Sequence, residues 1–267
     1  MHSIVDLRAP CAAAAATDDT VWCTAGGRLL AFEAAGTLRL NQPLSRVCSL
    51  GASGSQLAAI LEGGMMVWLD PRSARETGRR AVGKNAVLVS GGGAIWAIDE
   101  EKGEGLHLGK PGQLLTHVPM PGVDRAAADG DRVWWLSRSD TKLRDGKREV
   151  DLGIRPGERG GFSVCANSVW LSAARGLVRV GTWGAVKGPL IPVSAGLLPF
   201  VTCGGGVLVG GSAMGGLVVL DPSADSDVRY LDIDPDGEVG MLVSTRAMAW
   251  VFSGQRSKAR LVPIRAA

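Results

Sequence analysis

Aromatic residues are scarce in this 267-residue chain: it has one Tyr and four Phe, so eight Trp make up most of the 5%. With only three His, few side chains are available for acid–base work near neutral pH. No run of eighteen uncharged apolar residues occurs, which predicts no transmembrane helix and no membrane partner. No Lys/Arg block stands out and the net charge is only +3, so the sequence predicts no nucleic-acid footprint. No CxxC or Cys/His cluster supports a zinc site. Helical periodicity is nowhere sustained, and no Gly-X-Y period exists despite 38 Gly. Ser/His/Asp, GxSxG, Walker A and dinucleotide-binding patterns have no match.

The N-terminus has no charged segment leading into a long apolar stretch, and its Ala run ends at Thr17-Asp18-Asp19, so no secretory signal is expected. The five cysteines, Cys11, Cys23, Cys48, Cys165 and Cys203, are odd in number and lie mostly in apolar runs. They read as reduced core residues of a cytoplasmic protein.

What the chain does have is repetition. An apolar pair following a turn recurs as Val21-Trp22, Leu57-Ala58, Ile95-Trp96, Val133-Trp134, Val169-Trp170, Val207-Leu208 and Ala249-Trp250. Successive pairs are 36, 38, 38, 36, 38 and 42 residues apart, and seven units of roughly 38 fill the chain. Each unit repeats one grammar of short apolar strand, turn, second strand, Gly-containing turn, third strand and more polar outer strand. Runs rich in Val, Leu, Ile and Trp between Gly clusters argue for strands. The last unit, from Glu238 onward, supplies three strands, whereas His2 to Arg8 is a strand left over at the start. Pairing His2 to Arg8 with Ala259 to Arg265 would close a ring. The expected fold is all-β: one domain over 1–267, a seven-bladed β-propeller with four-stranded antiparallel blades.

The repeat and phrases such as Ala128-Asp129-Gly130-Asp131-Arg132-Val133-Trp134-Trp135 and Gly26-Gly27-Arg28-Leu29-Leu30 carry a resemblance across the whole chain. It resembles the bacterial seven-bladed propellers with YncE-like, NHL-like and virginiamycin B lyase-like repeats; the Gly-His and Trp-Asp signature of WD40 blades is missing. The lyase-like resemblance implies a histidine base and acidic metal ligands toward the central channel. Here His107 and His117 fall on peripheral strands, which argues against that activity, although as a cross-strand pair they would offer a weak metal site.

Two sets of candidate site residues follow from the expected fold. Asn85, Asp124, Glu158 and Glu238 each come at the start of an inner strand, so four blades would aim oxygen ligands suited to Ca²⁺ or Mg²⁺ at one channel mouth. The regucalcin and gluconolactonase group resembles this arrangement but has six blades. Basic residues recur on loops of the same face, with Arg46, Lys84, Arg125 and Arg159 innermost. These predict docking of an anionic peptide or small acid through Arg contacts. Trp183, in the tight turn Gly181-Thr182-Trp183-Gly184, is the candidate exposed anchor. The functional expectation is a monomeric, non-enzymatic scaffold that binds a protein, peptide or small acidic ligand without a cofactor. The alternative is a divalent-metal-dependent hydrolase or lyase.

Overall fold

A computed structural model describes residues 3–183, 187–212, 215–223, 228–233, 239–253 and 257–264. The strand β1 (Ser3–Asp6) precedes the first blade, β2 (Cys11–Ala16), β3 (Thr20–Ala25), β4 (Arg28–Glu33) and β5 (Leu38–Pro43). Blade 2 is β6 (Val47–Ser53), β7 (Gln56–Leu61), β8 (Met65–Leu69) and β9 (Glu76–Ala81). Blade 3 is β10 (Ala86–Gly91), β11 (Ala94–Asp99), β12 (Glu104–Leu108) and β13 (Leu114–Pro119). Blade 4 is β14 (Val123–Asp129), β15 (Arg132–Ser137), β16 (Lys142–Arg144) and β17 (Glu149–Asp151), and a 3₁₀ turn over Pro156–Glu158 leads out of it. Blade 5 is β18 (Arg159–Cys165), β19 (Ser168–Ala173), β20 (Gly176–Gly181) and β21 (Lys187–Pro192). Blade 6 is β22 (Phe200–Gly204), β23 (Val207–Gly211), β24 (Gly216–Leu220) and β25 (Val228–Asp232). Blade 7 is β26 (Val239–Ser244), β27 (Met248–Ser253) and β28 (Lys258–Pro263), with β1 as its outer strand.

Each blade is an antiparallel meander, and the seven sheets form the predicted seven-bladed propeller. The closing pair is antiparallel, with Ser3 opposite Leu261 and Asp6 opposite Lys258; His2 and Arg265 lie outside the described residues. Closure is reinforced where Arg246, in the first turn of blade 7, reaches blade 1: its Nη2 is 2.8 Å from Asp18 Oδ2, and its N–H donates to the Asp18 carbonyl.

All seven repeated pairs fall on second strands, where both faces of the sheet are covered by neighbouring blades. Trp96, Trp134, Trp170 and Trp250 are fully buried there. Burial of rings this large, together with the aliphatic clusters between blades, is the main reason the blades stack, at several kcal/mol per ring on the order of 25 cal/mol per Å² of apolar surface. Two glycine runs do what their position near the axis demands. A Cβ on Gly92 would lie 2.3 Å from the Gly130 nitrogen, and one on Gly205 would lie 2.4 Å from the Arg246 carbonyl oxygen. Both glycines also hold positive φ in turns between first and second strands.

The cysteines need one correction. Cys165 and Cys203 form a disulfide, with Cα atoms 5.3 Å apart and 38 residues, one repeat, between them in sequence. Equivalent ends of neighbouring inner strands come side by side, so one period of separation puts two thiols within bonding reach. The reading of all five cysteines as reduced therefore fails for this pair, and with it the cysteine argument for a reducing compartment. Cys11, Cys23 and Cys48 are free. Its hydrogen bond with Cys11 and its burial push the Cys23 thiol well above its ordinary value.

Candidate functional site

The propeller has two faces. Loops between blades and turns between second and third strands emerge on one, the inter-blade face. Turns between first and second and between third and fourth strands emerge on the other. The inner strands β2, β6, β10, β14, β18, β22 and β26 surround an axial cavity. About 840 Å³ of it opens toward the second face, and about 300 Å³ forms the mouth on the inter-blade face. Val89, Ala126, Phe162, Val201 and Leu242 border both spaces and form an apolar waist.

The inter-blade mouth is shaped by a recurring irregularity. Five of the seven inner strands slip register at their first residues, at Cys11/Ala13, Val47/Ser49, Val123/Arg125, Arg159/Phe162 and Val239/Met241. A bulge leaves a residue unpaired and re-aims its neighbours, which suits the rim of a channel. In blade 4 the bulge holds Asp124, and Arg125 follows it into the mouth beside Val87, Phe162, Phe200 and Leu242. Among the described residues, no hydrogen bond or ion pair ties the exposed Arg125 down.

The other predicted cations differ from Arg125 in what holds them. Lys84 is exposed on the same face. Arg46, at φ 60°, has its guanidinium 3.9 Å from the Glu62 carboxylate. Arg159 is buried and unavailable to a ligand. Its guanidinium donates to the carbonyls of Ser137 (2.8 Å), Ile154 (3.1 and 3.3 Å) and Asp140. Gly160 and Gly161 explain this placement: a Cβ on either would lie 2.4 Å from backbone of the next blade. The bulge therefore packs tightly and carries Arg159 beneath the loops of blade 4. Burial lowers the Arg159 pKa from its ordinary value, yet an arginine stays charged. Trp183 is exposed, as expected, but it follows a third strand and so stands on the face opposite Arg46, Lys84 and Arg125.

Among the described residues the predicted oxygen ligands do not converge. Asn85 Nδ2 donates to Glu101 Oε2 at 3.2 Å. Asp124 faces the Arg138 guanidinium at 4.0 Å, which is also paired to Glu100. Glu158 accepts from the Arg155 N–H at 3.2 Å and closes its own 3₁₀ turn. Glu238 lies outside the described residues. Among the described residues no three His, Cys, Asp or Glu side chains stand close enough to hold a metal ion together. Asn85, Asp124 and Glu158 are thus each engaged with neighbours of their own blade or loop.

The histidines are on peripheral strands, as predicted. His107 pairs with Thr116 while His117 pairs with Leu106, so register puts the two imidazoles on opposite faces of the sheet and the cross-strand metal pair is not formed. His107 is buried and stacked on Trp96, with ring centroids 4.7 Å apart; burial holds its pKa below the ordinary value. His117 Nε2 lies 2.9 Å from Glu104 Oε2.

Sequence reasoning missed the apolar wall of the mouth. Its signal was present in Val87, Phe162 and Phe200, large apolar residues on the first strands of their blades, where small residues prevail.

No family model matches the chain, and no curated protein matches it. Solved structures do. Virginiamycin B lyase from Staphylococcus aureus is similar over 99% of both chains at 12% identity, with a TM-score of 0.77. The WD40 repeats of RRP9 align over 98% of this chain and 97% of theirs at 10% identity, with a TM-score of 0.73. BamB from Moraxella catarrhalis aligns over 96% of this chain and 84% of its own at 14% identity, with a TM-score of 0.58. At such identities the likeness speaks for architecture alone. From its repeat, its sheet order and these relatives in shape, the chain is a seven-bladed β-propeller.

Proposed function

We propose that this propeller is a non-enzymatic recognition scaffold that takes an acidic segment of a protein or peptide, or a small acid, at the inter-blade mouth. One observation carries the reading: Arg125 is an exposed guanidinium that has no ion-pair partner among the described residues, set against Val87, Phe162, Phe200 and Leu242. A free cation beside apolar walls suits a carboxylate attached to an apolar group, because the wall lowers the local dielectric around the pair. The dispersal of Asn85, Asp124 and Glu158 and the peripheral histidines support a binding role over metal-assisted chemistry.

The test uses a fluorescein-labelled peptide alternating Glu and Leu, read by fluorescence anisotropy. Arg125→Ala is expected to weaken binding about tenfold, and so is raising salt from roughly 50 to 300 mM, the screening range for an exposed pair. Binding indifferent to both refutes the reading, as does turnover of a lactone or ester by metal-loaded protein.

A further inference from the structure

We propose a second docking surface, on the face opposite the inter-blade loops, that takes an extended acidic segment of a partner protein across blades 3, 4 and 5. It begins with a shortfall in blade 4. Strands β16 and β17 have three residues each, where their counterparts in other blades have four to six. The shortened outer half of blade 4 leaves a groove of about 780 Å³ against blade 3. Thr116 and Val118 line one side, Arg144, Lys147 and Arg148 the other, and Trp135 lies at its floor.

The turn over residues 145–148 is held by its own hydrogen bonds and lines this groove. Asp145 Oδ1 accepts the N–H groups of Lys147 (3.0 Å) and Arg148 (2.8 Å). Gly146 sits at φ +84°, so close that a Cβ there would lie 3.6 Å from Val118 and 4.0 Å from Trp135. From the same turn Arg148 reaches the other way, to blade 5, where its Nη1 donates to the carbonyls of Thr182 (2.8 Å) and Trp183 (2.6 Å). Arg132 donates to the Thr182 carbonyl at 3.1 Å, and its guanidinium stands 5.7 Å from the Trp183 ring centre. Two arginines of blade 4 thus fix the backbone and ring of a tryptophan that is still 77% exposed. An aromatic held in place before binding costs little to order, which is the condition for an anchor.

The charge points to an acidic partner. Lys147 is exposed and, among the described residues, has no ion-pair partner. Arg148 is 40% exposed by side chain, whereas the Asp145 carboxylate 4.0 Å from its Nε is only 3% exposed. The cations face solvent while their balancing acid is turned inward. Glu149 is held by Lys142 and Arg144, and exposed Asp131 leaves the excess positive charge centred on Lys147 and Arg148. A small ligand in the groove would not reach Trp183; a chain laid across the turn touches both.

The experiment is a selection of random twelve-residue peptides displayed on phage against the intact protein, with winners remade synthetically and measured by anisotropy. Winners are expected to be net acidic with at least one apolar or aromatic residue. They should weaken tenfold or more on Trp183→Ala and on Lys147→Glu, both at exposed positions, and keep their affinity on Arg125→Ala. Neutral or basic winners, no enrichment, or affinity untouched by Trp183→Ala and Lys147→Glu overturns the proposal. Winners dependent on Arg125 alone overturn it too, while sustaining the inter-blade mouth.

Discussion

Replacing Arg159 should destabilise the protein rather than remove a ligand contact, and the size of the effect follows from the atoms involved. The guanidinium makes four hydrogen bonds to three carbonyls: Ser137 and Asp140 in one turn of blade 4, and Ile154 in the loop that enters blade 5. Hydrogen bonds to a charged donor contribute about 1.5–3 kcal/mol each, and a buried acceptor left unpaired costs about 1–3 kcal/mol. Water entering the vacated space will rescue part of this, so Arg159→Ala should destabilise by about 3–5 kcal/mol, the usual cost of breaking a buried charged network. Arg159→Lys should recover little, because an ammonium cannot fork to three separated carbonyls. The assay is urea denaturation followed by Trp fluorescence for wild type, Arg159→Ala, Arg159→Lys and Arg125→Ala. The first two variants should shift the midpoint strongly and Arg125→Ala hardly at all. A wild-type midpoint in Arg159→Lys, or loss of peptide binding by Arg159→Ala at unchanged stability, would refute the reasoning.

The buried His107 carries a pH dependence of known sign. Its folded pKa lies below the ordinary 6.5, so the unfolded chain binds the extra proton first and stability falls as pH drops below that value; the urea midpoint should fall between pH 7 and 5, less steeply in His107→Phe, and parallel profiles would discount His107. Cys203→Ser, or reduction of the wild type, should cost about 3–4 kcal/mol if release of a 38-residue loop in the unfolded chain dominates; equal midpoints with and without reductant, or five free thiols by mass spectrometry, would remove the bond from the argument. Deleting residues 1–9 strips β1 and the buried Leu7 from blade 7 and bares the edge of β28. A melting temperature unchanged by that deletion would show that closure through β1 contributes nothing.

Much of the architecture was written locally. A strand needs little more than alternating or continuous apolar residues and a turn needs little more than Gly, Asn or Asp, so seven repeats of both could be counted along the chain. The pairs from Val21-Trp22 to Ala249-Trp250 mark second strands, whose consecutive residues are buried on both faces. The surplus strand at the start matched the deficit at the end, which is a counting argument and needed no coordinates.

What a side chain does depended on the third dimension. Both Arg125 and Arg159 lie near the start of an inner strand, yet a tight Gly-Gly bulge buries one beneath three carbonyls and a single-residue bulge delivers the other to the mouth. Trp183 and Arg125 were both candidate ligand contacts, and the parity of the strands preceding them puts them on opposite faces. Cys165 and Cys203 became partners because ring closure turns one repeat of sequence into one step between neighbouring strands. Repetition along the chain fixes which residues are equivalent, whereas close approach, burial and face depend on how neighbouring blades meet. Those contacts lie tens of residues apart, beyond the reach of any local pattern.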